Sequence, residues 1–165
     1  MNQITLSLAT LGPIGRNFPA PGTFGSLVGF VVFFILIHLT GWNPLMITLA
    51  FIPLFLLGVP LCRRAEILLE QQDPKEVIWD EFSVIPFIFW PIPSEISGPL
   101  TQSSLIWIGA GFLLFRFFDI SKPLIIHHSQ RLPGGWGVMV DDLLAALASS
   151  VILLLIKTFS LSFVG

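Results

Sequence analysis

The sequence predicts an all-α, polytopic membrane protein: a helical bundle of about five apolar segments with an acidic site at its cytoplasmic face. Three observations lead to this prediction. The chain of 165 residues is 54% hydrophobic and 11% charged, whereas soluble domains carry about 25% charged residues. Its apolar residues form runs that approach the length of a membrane span. Its few charges are gathered in short stretches between those runs, and no basic cluster indicates a nucleic-acid partner.

The five apolar segments cover roughly residues 24–39, 45–61, 82–93, 104–118 and 143–156. A spanning helix needs about 20 residues, and four of the segments reach that length when their flanks are included. The third segment is shorter and contains Pro86, Pro91 and Pro93. Because proline interrupts helices, three alternatives stay open for it: a short spanning helix, a broken helix or a re-entrant hairpin.

The distribution of basic residues favours five crossings. If the N-terminus is cytoplasmic, five crossings put seven of the eight basic residues at the inner face, as the positive-inside rule requires. Without the third crossing, the basic residues that follow it would lie opposite Arg63 and Arg64. All acidic residues except Glu95 share the inner face, which suits a polyanionic ligand bridged by cations. The seven basic residues are Arg16, Arg63, Arg64, Lys75, Arg116, Lys122 and Arg131.

Three acidic stretches lie at the predicted inner ends of the segments: Asp80-Glu81, Asp119 and Asp141-Asp142. Acids are also common in the first turn of a helix, where the helix dipole favours them, so a structural role for the first pair is an even alternative. The last pair is harder to explain in that way, since the following residues are apolar or small. Ionisable groups at membrane depth mark functional sites.

Arg116 and Lys122 flank Asp119 at intervals of three residues, so all three share one helical face if the helix continues that far. An ion-paired helix end with snorkelling basic side chains is the structural alternative. The functional one is a site in which carboxylates hold one or two Mg²⁺ ions and basic groups neutralise phosphate oxygens. The single cysteine and the adjacent His127-His128 pair argue against a soft-metal site.

Two glycine-bearing stretches point to the same face. Residues 21–26, Pro-Gly-Thr-Phe-Gly-Ser, open the first apolar helix, where free amides bind anions and the Thr23 hydroxyl adds a donor. Residues 134–137, Gly-Gly-Trp-Gly, precede the Asp141-Asp142 pair, and glycine there allows the backbone to approach a ligand closely.

Four stretches in this order resemble the phosphatidylglycerophosphatase A family of bacterial membrane enzymes. They are residues 21–26, then Val-Ile-Trp-Asp-Glu at 77–81, then 111–123 with Arg-Phe-Phe-Asp-Ile-Ser-Lys-Pro, and finally Gly-Gly-Trp-Gly-Val-Met-Val-Asp-Asp at 134–142. The resemblance extends over about residues 19–150. It implies a single membrane-embedded domain, residues 1–165, in the bacterial inner membrane with its active site facing the cytoplasm.

The resemblance also implies a reaction: Mg²⁺-dependent hydrolysis of phosphatidylglycerophosphate to phosphatidylglycerol and phosphate, in phospholipid biosynthesis. The same acidic residues are then expected to serve catalysis and metal binding, and a second set to bind phosphate. An ion or solute transporter and a non-catalytic membrane subunit remain as alternatives. The acidic set is Asp80, Glu81, Asp119, Asp141 and Asp142, and the phosphate-binding set is Thr23, Arg116, Lys122 and Arg131.

Overall fold

A computed structural model describes residues 2–98, 100–123 and 125–164. Within these residues there is no β-strand, and the all-α prediction is confirmed. The described residues form ten helices. They are α1 Asn2–Ala9, α2 Ile14–Asn17, α3 Pro21–Thr40, α4 Pro44–Leu69, α5 Trp79–Val84, α6 Pro86–Phe89, α7 Pro93–Ile96, α8 Gln102–Ser121, α9 Ile125–Ser129 and α10 Trp136–Val164.

Four of these helices are long and apolar enough to cross a membrane: Pro21–Thr40, Pro44–Leu69, Gln102–Ser121 and, within α10, Trp136–Ser160. A helix of 20 residues is about 30 Å long, which matches the hydrocarbon thickness of a bilayer. They contain the first, second, fourth and fifth segments predicted from the sequence. Their outward faces carry large exposed apolar side chains, among them Val31, Leu49, Leu56, Leu113 and Ile120, as expected of helices surrounded by lipid.

Local sequence explains where the long helices begin and end. The Asn43 side chain accepts a hydrogen bond from the amide of Met46 at the start of α4, and Thr101 forms a capping box with Ser104 at the start of α8. These side chains satisfy amides that a helix leaves without an internal partner. Helix α3 ends at Gly41, whose φ of 65° lies in the left-handed region that glycine tolerates.

The third apolar segment is broken into α5, α6 and α7, and its prolines stand at the breaks. The stretch from α5 to α7 runs beside the middle part of α10: Asp80 lies beside Asp142 at one end, while Glu95 pairs with Lys157 at the other. The 15 residues of α10 between those two contacts rise about 22 Å. Long helices enclose the segment, and the Thr48 hydroxyl donates to the Pro86 carbonyl. Protein, not lipid, therefore surrounds the interrupted backbone.

Aromatic rings fill the middle of the bundle around this segment. The Phe89 ring stacks on Phe33 with centroids 5.4 Å apart, and Phe30 packs edge-on against both Phe89 and Phe112. Gly111 of α8 makes room for Phe89, because a Cβ at that position would lie 2.6 Å from the ring. Such close packing fixes the height of α6 relative to α3 and α8.

The short N-terminal helices support the loop that precedes α5. The Ile78 amide donates to the Ala9 carbonyl, and Gly15 lies so close to the Glu76 carbonyl oxygen that a Cβ would come within 2.0 Å of it. These contacts hold the loop of residues 70–78, which carries Asp73, against the same end of the bundle as Asp80.

Candidate active site

A polar cavity of about 310 Å³ opens at the end of the bundle where α3, α5 and α10 begin and α8 ends. Four separate parts of the chain form its wall. Helix starts and ends supply most of its charged groups, and the loop before α5 supplies Asp73 and Lys75. The charged or hydroxyl-bearing residues that line it are Thr23, Asp73, Lys75, Asp80, Glu81, Arg116, Asp119, Lys122, Asp141 and Asp142.

Three carboxylates converge in this cavity. Asp80, Glu81 and Asp142 each offer an oxygen within 4.8 Å of the others. Among the residues that the structure describes, one oxygen of each carboxylate is buried without a hydrogen-bond partner: Asp80 Oδ1, Glu81 Oε2 and Asp142 Oδ2. Unpartnered buried carboxylate oxygens are costly, and hard oxygen ligands suit Mg²⁺ or a similar divalent cation. The donor set therefore fits a metal ion.

The other two predicted metal ligands, Asp119 and Asp141, are engaged by basic groups. The Arg116 guanidinium donates to Asp119 Oδ2 at 2.6 Å, as their spacing of three residues along α8 allows. Lys122 Nζ donates to Asp141 Oδ2 at 2.5 Å. All five acids line one cavity, but they divide into a group of three and two ion pairs, and only side-chain geometry shows this division.

Arg116 joins α3, α5 and α8. Besides Asp119, its Nη1 donates to the Ser26 hydroxyl at 3.3 Å and lies 3.8 Å from Glu81 Oε1. The Arg116 Nε atom is buried and has no partner among the described residues. A guanidinium with an unused donor, held by a carboxylate beside an acidic cluster, is suited to receiving an anion when one enters.

Burial and neighbouring charges shift the pKa values of the ionisable groups of the cavity that lie outside the long helices. Burial raises the pKa of the Asp80 carboxyl well above its usual value, and the charges of Glu81 and Asp73 raise it further. Burial also raises the pKa of Glu81 to about 8, where the Asp119 charge adds to the effect and Arg116 opposes it. Burial lowers the pKa of Lys122, but attraction to Asp141 outweighs burial and raises it overall. A bound cation would relieve the repulsion among the acids.

The first glycine-bearing stretch lets α3 lie against Glu81. A Cβ at Gly22 would stand 2.0 Å from Glu81 Oε1, and one at Gly25 would stand 2.8 Å from the Ile78 Cβ. Thr23, next to Gly22, lines the cavity. From the sequence, this stretch was expected to bind an anion through the free amides of a helix start. The structure adds a second reason for glycine, because α3 approaches the Glu81 carboxylate closely at Gly22.

The second glycine-bearing stretch has a different neighbour from the one expected. A Cβ at Gly135 would lie 2.0 Å from the Val59 carbonyl oxygen, so this glycine allows α10 to begin directly against α4. A Cβ at Gly137 would lie 2.9 Å from the Gln130 carbonyl oxygen. The close approach is therefore to protein backbone, not to the acidic cavity.

Arg131 is not brought together with the other predicted phosphate ligands. It is exposed and lines a second cavity of about 580 Å³, which also includes Glu66, Gln130 and Gly134. Asp73 borders both cavities. The turn from α9 into α10 carries Arg131 away from the carboxylates, although the sequence places it between Lys122 and Asp141.

Sequence reasoning missed two residues. Asp73 lies 3.8 Å from Lys122 Nζ, and Gln130 Nε2 donates to Asp141 Oδ2 at 3.1 Å. Both lie in connecting segments without helical periodicity. Asp73 meets Lys122 across a large separation in sequence, and Gln130 meets Asp141 across 11 residues. An acid next to a proline in a charged loop was the one available indication for Asp73, and nothing distinguished Gln130.

Fold and site together define a class: an all-helical protein with membrane-length apolar helices and, at one end of the bundle, a cavity of buried carboxylates beside an arginine and a lysine. The family model for phosphatidylglycerophosphatase A matches residues 7–157. The chain belongs to the phosphatidylglycerophosphatase A family and is a phosphoric monoester hydrolase. Its apolar helices and bacterial relatives are consistent with a bacterial inner-membrane protein.

Three relatives support this assignment. A phosphatidylglycerophosphatase A of Haemophilus influenzae is 37% identical over 162 residues, covering 98% of this chain and 93% of the relative. One of Escherichia coli is 31% identical over 81% of this chain and 72% of its own length. A Bacteroides thetaiotaomicron protein, provisionally named a phosphatidylinositol-3-phosphatase, is 32% identical over 81% of each chain. No solved structure matches the chain.

Proposed function

We propose that this protein is a Mg²⁺-dependent lipid phosphatase that hydrolyses phosphatidylglycerophosphate to phosphatidylglycerol and phosphate. One observation carries the proposal: unpartnered carboxylate oxygens and two basic side chains face the same cavity at the end of a bundle of apolar helices. A phosphomonoester on a diacyl lipid needs this combination, because its head group is a polyanion and its chains stay in the bilayer. Two relatives carry the corresponding name.

Asp80, Glu81 and Asp142 would hold the metal ion. When bound, Mg²⁺ supplies positive charge that offsets the charge on phosphoryl oxygens and brings the phosphate to the carboxylates. Asp119 and Asp141 belong to the same site through their ion pairs, since they hold Arg116 and Lys122 in place. In this proposal all five acids serve catalysis, three of them as ligands and two as positioning residues.

Lys122, Arg116 and Thr23 would contact the phosphate. Lys122 offers a point charge, and Arg116 a guanidinium whose buried Nε has no partner among the described residues. Both residues line the cavity, and both would stabilise negative charge during phosphoryl transfer. Thr23 adds a hydroxyl beside the first amides of α3, where the helix dipole favours an anion. Arg131 is left out of this set, because it is exposed and lines the second cavity.

We also propose that the chain forms one membrane-embedded domain that crosses the bilayer five times, with the cavity facing the cytoplasm. The path of the third segment supports five crossings, since it extends from Asp80 beside Asp142 to Glu95 beside Lys157. The basic residues support the orientation: Lys157 lies at the end away from the cavity, whereas Arg116 and Lys122 line it. The positive-inside rule assigns the basic end to the cytoplasm.

The transporter alternative is less well supported. Transporters place their coupling sites near the bilayer midplane, often between internal repeats. Here the carboxylates lie where helices begin and end, and the sequence has no internal repeat. A non-catalytic subunit would need no unpartnered oxygens, since acids that only balance basic groups would all be paired.

The test is phosphate release by the purified protein from phosphatidylglycerophosphate in detergent micelles, with Mg²⁺ or with EDTA. We expect release with Mg²⁺, its loss in EDTA, and its loss in an Asp141→Asn, Asp142→Asn double variant. Glu95→Gln, at the opposite end of the bundle, is the matched control and keeps wild-type release. Phosphatidylinositol 3-phosphate forms a second arm, which measures selectivity among lipid phosphomonoesters. The proposal fails if no phosphate is released, or if release persists in EDTA and in the double variant.

A further inference from the structure

An apolar groove of about 420 Å³ lies between α8, α9 and α10, next to the polar cavity. Its wall includes Phe118 near the end of α8, Pro123 just after that helix, and Leu144, Ala148 and Val151 along α10. Almost no polar surface lines it. The intermediate exposure of Ala148 and the greater exposure of Val151 show that it is open along its side.

The groove begins at the residues that build the site. Phe118 is adjacent to Asp119, Pro123 is adjacent to Lys122, and Leu144 follows Asp141 by three residues. A molecule lying in the groove therefore has one end beside the Lys122–Asp141 ion pair. The polar cavity and the apolar groove are thus lined by neighbouring residues, as suits a molecule with a charged head and an apolar tail.

The distance from Asp141 to the far end of the groove matches one leaflet of a bilayer. From Asp141 to Val151, α10 advances ten residues, which is about 15 Å. Half of a hydrocarbon core of about 30 Å is the same distance. A second apolar groove, between α3 and α8, extends from Leu27 to Leu39 and Leu100. None of its lining residues is adjacent in sequence to a residue of the polar cavity, whereas Phe118 and Pro123 adjoin Asp119 and Lys122.

We propose that the groove between α8 and α10 holds one acyl chain of the lipid whose phosphate enters the polar cavity. This inference rests on the proposed function and adds a binding subsite to it. Lipid tails are as apolar as the groove, so moving a chain from the bilayer into the groove brings little hydrophobic gain. The benefit is positional: a fixed chain holds the phosphate at the carboxylates, and a displacement of about 1 Å at a reacting group can cost about a hundredfold in rate.

The first test compares two phenylalanine variants and two substrates. Ala148→Phe fills the groove. Ala50→Phe, the matched control, adds the same ring on an exposed face of α4. Phosphatidylglycerophosphate with two octadecenoyl chains tests the groove, and the dihexanoyl form has chains too short to follow it. We expect Ala148→Phe to lower kcat/KM for the long-chain substrate by about tenfold or more, a loss that corresponds to about 1.4 kcal/mol.

The same variant should leave kcat/KM for the dihexanoyl substrate within about twofold of wild type, and Ala50→Phe should match wild type on both substrates. Equal losses on both substrates, or no loss on either, overturn the groove assignment. If the wild-type protein hydrolyses neither substrate, it is the proposed function that fails, so the two failures are distinguishable.

The second test does not depend on turnover. Long-chain phosphatidylglycerophosphate with a diazirine in one chain is illuminated with the protein in nanodiscs containing EDTA, so that the lipid stays intact. We expect labelling of residues 144–151 several-fold above labelling around Ala50, and loss of this excess in Ala148→Phe. Equal labelling of the two faces overturns the proposal. So do disulfide-linked dimers of a Leu147→Cys variant, because they would place a second copy of the chain in the groove.

Discussion

Replacing Gly22 by alanine isolates the geometry of the carboxylate cluster from the stability of the fold. The added Cβ would stand 2.0 Å from Glu81 Oε1, whereas Cβ contacts shorter than about 3 Å essentially do not occur in proteins. The colliding atom is the tip of a side chain, so the backbone can stay in place. The Glu81 carboxylate must then move by about 1 Å, away from its position beside Asp80 and Asp142.

A shift of that size at a reacting centre costs about a hundredfold in rate, while alanine in place of helical glycine favours the helix by up to about 1 kcal/mol. We therefore expect Gly22→Ala to fold normally, to lose about a hundredfold in kcat/KM for phosphate release, and to need more Mg²⁺ for half-maximal activity. Release is measured with purified protein in micelles across a Mg²⁺ series, and folding by thermal unfolding in the same detergent.

Gly109→Ala is the matched control, because no atom lies within 4 Å of a Cβ built there on α8. It should keep wild-type activity and Mg²⁺ dependence. If Gly22→Ala keeps activity within threefold of wild type while it folds normally, the position of Glu81 does not matter for the reaction, and the assignment of Glu81 to the metal group is wrong.

Three further predictions follow from other contacts. Gly135→Ala should lower the unfolding free energy by about 1–3 kcal/mol through overpacking, because the colliding atom is the Val59 backbone oxygen; unchanged thermal unfolding would contradict this. Lys122→Ala should reduce kcat/KM by about a hundredfold or more and Arg131→Ala by less than threefold, and equal losses would place both at the phosphate. Burial raises the pKa of Glu95, but hydrogen bonds from Lys157 and Ser94 outweigh burial and lower it overall. The Glu95–Lys157 ion pair should therefore stabilise the protein above pH 4.5 by up to about 1 kcal/mol, and this stabilisation should be lost as the pH falls through the lowered pKa. The difference in melting temperature between wild type and Glu95→Gln should accordingly shrink in acid.

Periodicity and composition were sufficient for the parts of the molecule that depend on local sequence. Helix type, the four long apolar helices and the weakness of the third segment all follow from run length, capping residues and proline. The gathering of Asp80, Asp119 and Asp142 at one end also follows, since alternating helix directions bring their ends together. A surface that faces lipid needs no specific partner, so the apolar character of the sequence is enough to predict it.

The division of the five acids into a group of three carboxylates and two ion pairs could not be predicted in this way. Whether a carboxylate lies in a cation site or beside a basic side chain depends on differences of about 1 Å in the relative positions of helices that are far apart in the chain. Lys122 pairs with Asp141 across 19 residues and Arg116 reaches Ser26 across 90. Asp73 and Gln130 lie in loops whose positions are set by the N-terminal helices and by the turn into α10. No local pattern encodes those contacts.

The central claim is that Asp80, Glu81 and Asp142 hold a catalytic divalent cation, and its most direct test is the Mg²⁺ dependence of phosphate release from phosphatidylglycerophosphate. In wild type and in Glu95→Gln we expect one saturating curve. In Asp80→Asn the curve should shift to at least tenfold higher Mg²⁺, or activity should disappear, because a ligand oxygen loses its charge. Superimposable curves for Asp80→Asn and wild type would contradict the account.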